Sequence, residues 1–197
     1  MLLDKTVAVV VPAYNEEKQI RLVLETMPGF VDRIIVVNDC SKDRTADVVL
    51  SHIREDRSIG KAIRPDDVQD QENQYNRAET LLKEKQQNDL KHYVPSEIAN
   101  VRPETDRIIL INHLKNGGVG AAIARGYKWC LDHNIDCTAV MAGDGQMDPA
   151  ELENSVVFSS IRQRRRTILL TAIRTLQRLP PLQTIPWTRL FTLSVGT

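Results

Sequence analysis

The sequence is poor in cysteine, and Cys40, Cys130 and Cys137 are odd in number with no CxxC pair among them. That argues against a disulfide framework or a cysteine zinc cluster, and it suits a reducing, cytoplasmic setting. No apolar stretch is long enough to span a bilayer. Met1-Leu2-Leu3-Asp4-Lys5 leads straight into an apolar strand and lacks the pattern of a signal peptide. The phosphate-loop and dinucleotide fingerprints are missing too: Gly117-Gly118-Val119-Gly120 is not GxGxxG, and no GxxxxGK[ST] occurs. The sharpest shortage is of acid at one end. All 26 Asp and Glu lie at or before Glu153, and beyond it stand seven Arg, no Lys and no acid. A formal net charge of zero therefore conceals a net-negative body and a net-positive tail.

What remains is ordinary for a soluble domain. A chain of 197 residues, 42% hydrophobic and 26% charged, is long enough to bury a core. Thr6 to Val11 is a continuous, mostly β-branched run, the pattern of a strand buried on both faces. Ile20, Val23, Leu24 and Met27 then recur at helical spacing, with Pro28-Gly29 as the stop. Arg33 to Val37 reads as a second strand, followed by a helix capped by Asp43 or Ser41 with a core face of Ala46, Val49, Leu50 and Ile53. Asp106 to Asn112 reads as a third strand, and a helix follows through Ala121, Ala122, Ile123, Ala124, Tyr127 and Trp129. Cys137 to Met141 is the fourth strand. Between about 55 and 105 the pattern weakens into a charged insertion, read as an exposed helix or hairpin with one thin apolar stripe, or as disorder. Strands alternating with helices predict an α/β domain with a largely parallel sheet.

In such a sheet the carboxyl ends of the strands share one edge, where ligands bind. Four polar clusters follow strands directly: Pro12 to Glu17, Asn38 to Ser41, Asn116 to Gly120, and Gly143 to Asp148. The last places Asp144 between two glycines, with no Cβ on either side to keep a bulky ligand off the backbone. A carboxylate in that turn suits a hard divalent cation. The other reading is a strand-to-helix connection in which Asp148 is the cap before Pro149.

At these clusters the chain resembles the family 2 glycosyltransferases of the GT-A fold, in particular those similar to dolichyl- and undecaprenyl-phosphate sugar synthases. The matching segments are Val9 to Glu17, Val36 to Thr45, Asn116 to Ala122 with Gly126-Tyr127, and Val140 to Pro149. The resemblance covers about residues 6–153 without the insertion. It implies a mostly parallel sheet flanked by helices, and a donor that is a nucleotide-diphospho-sugar. It implies a metal-assisted transfer to a polyprenyl-phosphate or glycan acceptor in envelope or polysaccharide synthesis, with no nucleic-acid partner. Pro12, Tyr14, Glu16, Val37, Asp39, Ala142, Gly143 and Gly145 would line the donor site. Asp144 would hold Mg²⁺ or Mn²⁺ against the diphosphate, with Gln146 beside it. The family's metal motif is usually Asp-x-Asp, and Ala142 or Gly143 stands in its first position here. Asn38 stands where many relatives carry an Asp.

The expected organisation is a GT-A-like domain over 1–153 and a basic tail over 154–197, where the resemblance stops. The tail reads as a membrane-surface amphipathic segment, as a truncated end with a helix from Pro149 to about Ile161, or as a stretch out of frame, the last two being preferred. A membrane-surface tail would suit a lipid acceptor and a peripheral place on the cytoplasmic membrane face. Rival functions are a truncated, non-catalytic nucleotide-sugar binder and a nucleotidyltransferase-like enzyme, the latter weakened by the missing basic phosphate loop.

Overall fold

The computed structural model describes residues 5–58, 76–149, 152 and 167–172. The first part of the insertion, the helix expected after Pro149 and most of the basic tail lie outside the described residues.

Strand β1 (Val7–Ala13) is the centre of the sheet. Its β-branched residues are stiff at χ1 and favour the extended chain, and Val7 to Val11 are all buried. The chain runs through helix α1 (Ile20–Glu25), strand β2 (Arg33–Asn38), helix α2 (Thr45–Ser58), helix α3 (Asn76–Leu90), strand β3 (Ser96–Ile98) and strand β4 (Ile108–His113). Helix α4 (Val119–Asp132), strand β5 (Cys137–Val140) and strand β6 (Thr167–Ala172) follow. The sheet order is β3-β4-β2-β1-β5-β6. All neighbours are parallel except β3, which pairs antiparallel with β4. The chain thus steps outward from β1 to β2 to β4, then returns through α4 to β5 on the other side of β1. That reversal makes the crevice between the carboxyl ends of β1 and β5 a topological switch point.

Alternation along the strands splits the core in two. Val7, Val9, Val11, Ile34, Val36, Ile108 and Leu110 pack with Ile20, Val23 and Leu24 of α1 and Val49 and Ile53 of α2. Ala8, Val10, Ile35, Val37, Ile109 and Ile111 pack with Ala122, Trp129 and Cys130 of α4. Gly126 permits the close approach of α4 to the sheet, since a Cβ there would lie 2.4 Å from Val10 Cγ1.

Two strands differ from expectation, and the first helix lacks a side-chain cap. The edge strand β3 is three residues of Ser-Glu-Ile, too short to carry a period-2 signal. Strand β6 lies in the tail, where a departure from the family was expected, and pairs with β5. Helix α1 starts only at Ile20, with Gln19 at its N-cap position and no side-chain cap. Asn15 Oδ1 accepts a bond from the Lys42 N–H.

The amino edge of the sheet is held by acids that precede strands. Asp32 accepts a bond from the Val7 N–H, and Asp136 accepts from the Thr6 N–H and hydroxyl. Asp106 is gripped by the Arg57 guanidinium and by Asn100 Nδ2. Burial alone would raise the Asp106 carboxyl, but the Arg57 and Asn100 bonds, then the charges of Arg57 and Arg102, bring it below the usual carboxylate range.

Candidate active site

Strand register sets the opposite edge. Ala13, Asn38 and Asn112 lie side by side across β1, β2 and β4, and Asn38 Nδ2 donates to Asn112 Oδ1 at 2.9 Å. Beyond them the β1–α1 and β2–α2 loops are stitched together by side chains of each bonding the backbone of the other. The Asn15 N–H donates to Ser41 Oγ (3.0 Å) and the Lys42 N–H to Asn15 Oδ1 (2.8 Å). The Glu16 N–H donates to Thr45 Oγ1 (2.9 Å), the Glu17 N–H to Asp43 Oδ2 (3.0 Å) and the Arg44 N–H to Glu17 Oε2 (2.9 Å). Asn15 and Cys40 take φ of 58° and 60°, a conformation that surrounding bonds must hold in place for residues with a Cβ. Burial would raise the Asp43 carboxyl, but bonds from the Thr45 hydroxyl and from the Glu17 and Thr45 N–H groups outweigh it, and the group lies below its usual range. Of the two caps expected for α2, the one that bonds the Thr45 N–H is Asp43.

Asp39 lies at the end of β2 and turns toward β4. It is 3% exposed. Its Oδ1 accepts from the Gly117 N–H at 2.8 Å and pairs with His113 Nδ1 at 2.7 Å, while Oδ2 accepts from the Gly118 N–H at 2.7 Å. Burial pushes this carboxyl up, and the Gly117, His113 and Gly118 bonds together overcome that and hold it below the usual range. The glycine turn before α4 is therefore an anion cradle already filled by the protein's own carboxylate. Gly117 also serves close packing, because a Cβ there would meet Val94 Cγ2 at 2.5 Å.

The acidic turn sits on the other side of β1. Gly143 lies against the end of β1, where its N–H donates to the Pro12 carbonyl at 3.3 Å and an added Cβ would be 3.1 Å from that oxygen. Gly145 has φ 73°, so the turn needs a residue without Cβ at that point. Asp144 Oδ1 accepts from the Gln146 N–H at 3.1 Å, an Asx turn that leaves the half-buried carboxylate at the crevice and Gln146 exposed. Glu16 faces it from the β1–α1 loop. Burial first, then the charges of Asp144 and Asp43, raise the Glu16 carboxyl above its usual value. Among the described residues its carboxylate meets no hydrogen-bond donor.

The structure thus sets Gly143 against Pro12 and the Asp144 charge against Glu16 at the switch point, with Ala142, Gly145 and Gln146 in the same turn and Tyr14, just after β1, 44% exposed. Asp39 reaches instead into the β4–α4 turn, and Val37 is fully buried in the core beneath α4. Sequence reasoning missed His113 and the stitching residues Asn15, Ser41 and Thr45. His113 carried a signal, since it is a polar side chain placed directly after an apolar strand run. Among the described residues no three His, Cys, Asp or Glu side chains converge as a preformed metal site would. Asp144 and Gln146 still offer oxygen donors of the kind that Mg²⁺ takes in ones and twos, with substrate phosphates completing its shell. No helix among the described residues is long and apolar enough to cross a membrane.

Residues 8–84 match the family described as glycosyl transferase family 2, a span that holds both stitched loops and ends before the acidic turn. The UDP-N-acetylglucosamine–dolichyl-phosphate N-acetylglucosaminyltransferase of Methanococcus voltae is 26% identical over 152 residues, which cover 77% of this chain and 46% of that protein. The chain thus spans about half the length of the curated relative it matches. Residues 8–84 are thus similar to the family 2 glycosyltransferases, and the chain carries a mostly parallel sheet consistent with the GT-A type.

Proposed function

We propose that the chain transfers a sugar from a nucleotide-diphospho-sugar, with the donor lying across the switch point between β1 and β5. The observation that carries this reading is the Gly143-Asp144-Gly145 turn seated against the end of β1, where the Gly143 N–H donates to the Pro12 carbonyl and the Asp144 charge repels the Glu16 carboxylate. Folding tends to relieve such repulsion, and a site whose ligand supplies the missing positive charge or donors has reason to keep it. Pro12, Tyr14 and Glu16 line the nucleotide side, with the exposed Tyr14 ring as a face for the base or ribose. Gly143 and Gly145 let the diphosphate approach the backbone, and Asp144 with Gln146 provides the oxygen ligands for Mg²⁺ or Mn²⁺. When bound there, the cation would offset charge on the departing nucleoside diphosphate. Asp39 anchors the rim of the nucleotide pocket.

The acceptor class that fits best is a polyprenyl phosphate, the kind named in the Methanococcus relative, met at the cytoplasmic face of a membrane. Its phosphate is already anionic and attacks the anomeric carbon without a general base. A second reading, donor binding without transfer, is favoured by Ala142 or Gly143 in the first position of the acidic motif. Calorimetric titration with UDP- and GDP-sugars, with and without Mn²⁺, tests both. Metal-dependent binding lost in Asp144→Ala, together with sugar transfer to a polyprenyl phosphate, supports the first. Binding without transfer supports the second, and absence of any binding sinks both.

A further inference from the structure

We infer that His113 is a positioning residue of the donor pocket, acting through Asp39 on the rim that carries Tyr14. The inference rests on the donor-site reading above. It starts from the side chain that has no role there: His113 closes β4, is buried, and places Nδ1 2.7 Å from Asp39 Oδ1. Its other nitrogen, Nε2, is buried without a hydrogen-bond partner among the described residues. With a proton on Nδ1 the ring donates to the Asp39 carboxylate.

That carboxylate then takes three N–H donors, from His113, Gly117 and Gly118. The Asp39 main chain takes two more bonds: its N–H donates to the Ala13 carbonyl at 2.9 Å, and its carbonyl accepts from Asn116 Nδ2 at 3.2 Å. Asp39 thus joins the residue before Tyr14 to the β4–α4 turn. The next two residues continue the linkage, because Cys40 is held at positive φ and Ser41 Oγ receives the Asn15 N–H. Without His113 the carboxylate keeps the two glycine donors but loses the lateral bond that fixes its rotamer. The slack is passed along Asp39 to Tyr14 and Asn15. His113 touches no reacting atom in this scheme; it sets where the nucleotide pocket's wall stands.

The test uses the full chain as wild type, His113→Leu, His113→Asn and Asp39→Asn. In His113→Asn the side-chain amide offers an N–H near the place of Nδ1–H, whereas Leu offers none. Binding of UDP and GDP is measured by calorimetry, melting temperature separately, and the Gly117 and Gly118 amide shifts by ¹H–¹⁵N spectra. The expected result is that His113→Leu moves both glycine amides upfield and weakens nucleoside diphosphate binding about tenfold, with most of that loss recovered in His113→Asn. Asp39→Asn matches the Leu variant in binding and stands in for it if the Leu variant does not fold. Unchanged binding in all variants, with only the melting temperature lowered, overturns the inference and leaves a purely structural His113. Unmoved glycine amides in His113→Leu overturn it as well. A wild-type chain that binds neither UDP nor GDP overturns the donor reading and this inference together, whereas wild-type binding with unaffected variants overturns this inference alone.

Discussion

The two edges of the sheet use the same chemistry to opposite ends. At the amino edge Asp32, Asp106 and Asp136 precede three strands, and each accepts bonds that tie its strand to a neighbour. Arg33 and Arg107 complete that edge by donating to main-chain carbonyls of Glu104, Asp106, Val31 and Pro28. At the carboxyl edge Asp39 and Asp43 are engaged in the same manner, yet Glu16 and Asp144 are set against one another. A charge paired inside the protein stabilises the fold, and a charge left in repulsion costs stability unless something else binds there. Acidity by itself therefore does not mark a site, because acids stand on both edges. The mark is an acid set against another acid at a switch point.

That contrast can be broken from either side. The largest expected effect lies at the amino edge. Asp106 has a side chain only 1% exposed, so Arg57→Ala strands a buried carboxylate. Asn100 still bonds it, and the expected loss is about 2–3 kcal/mol of unfolding free energy in urea, with nucleotide binding by the folded protein unchanged. The sign with pH is set by the depressed Asp106 value: the stabilisation is present above the unfolded pKa and is lost as pH falls through the folded one. The gap between wild type and variant should begin to close below about pH 4. Asp144→Ala should do the reverse, weakening sugar-nucleotide binding by roughly thirtyfold, about 2 kcal/mol, while urea stability moves by less than about 0.5 kcal/mol. If Asp144→Ala were as destabilising as Arg57→Ala, the two edges would be alike and the contrast would fail.

Asp43→Ala stands between them, since Asp43 both caps α2 and stitches the two loops; urea denaturation should show a loss of about 1 kcal/mol, with weaker nucleotide binding besides. The smallest effect is expected for Glu16→Gln. The raised Glu16 value means that ionisation is disfavoured in the fold, a penalty absent below the unfolded pKa and fully developed once pH exceeds the folded one. The variant should therefore melt about 1 °C higher than wild type at pH 7 and no higher at pH 3.5, as read by thermal scans at the two pH values.

Much of the frame was legible in the chain. The runs Thr6 to Val11, Arg33 to Val37, Asp106 to Asn112 and Cys137 to Met141 are mostly apolar because both faces of a parallel strand are covered, and each overlaps a strand. Helical spacing likewise showed Val49 and Ile53 of α2 as core, and the polar clusters after the strands fell on one edge because parallel strands must end together. The three-residue β3 was not legible, because three residues hold no period. Nor was the destination of each carboxylate. Asp39 and Asp144 look alike in sequence, each in a polar turn after an apolar run. Asp39 meets two glycine N–H groups and an imidazole nearly eighty residues further along the chain, and Asp144 meets another acid.

Local periodicity and turn chemistry depend on neighbours a few residues apart, and they were enough to settle strands, helices and the edge on which polar loops gather. Whether a carboxylate is clamped or left open depends on donors brought from distant segments, such as His113 beside Asp39 and Thr45 beside Glu16. Those distances exist only once the sheet has set its order and register, and that is where this chain's anchoring acids part from the ones offered to a ligand.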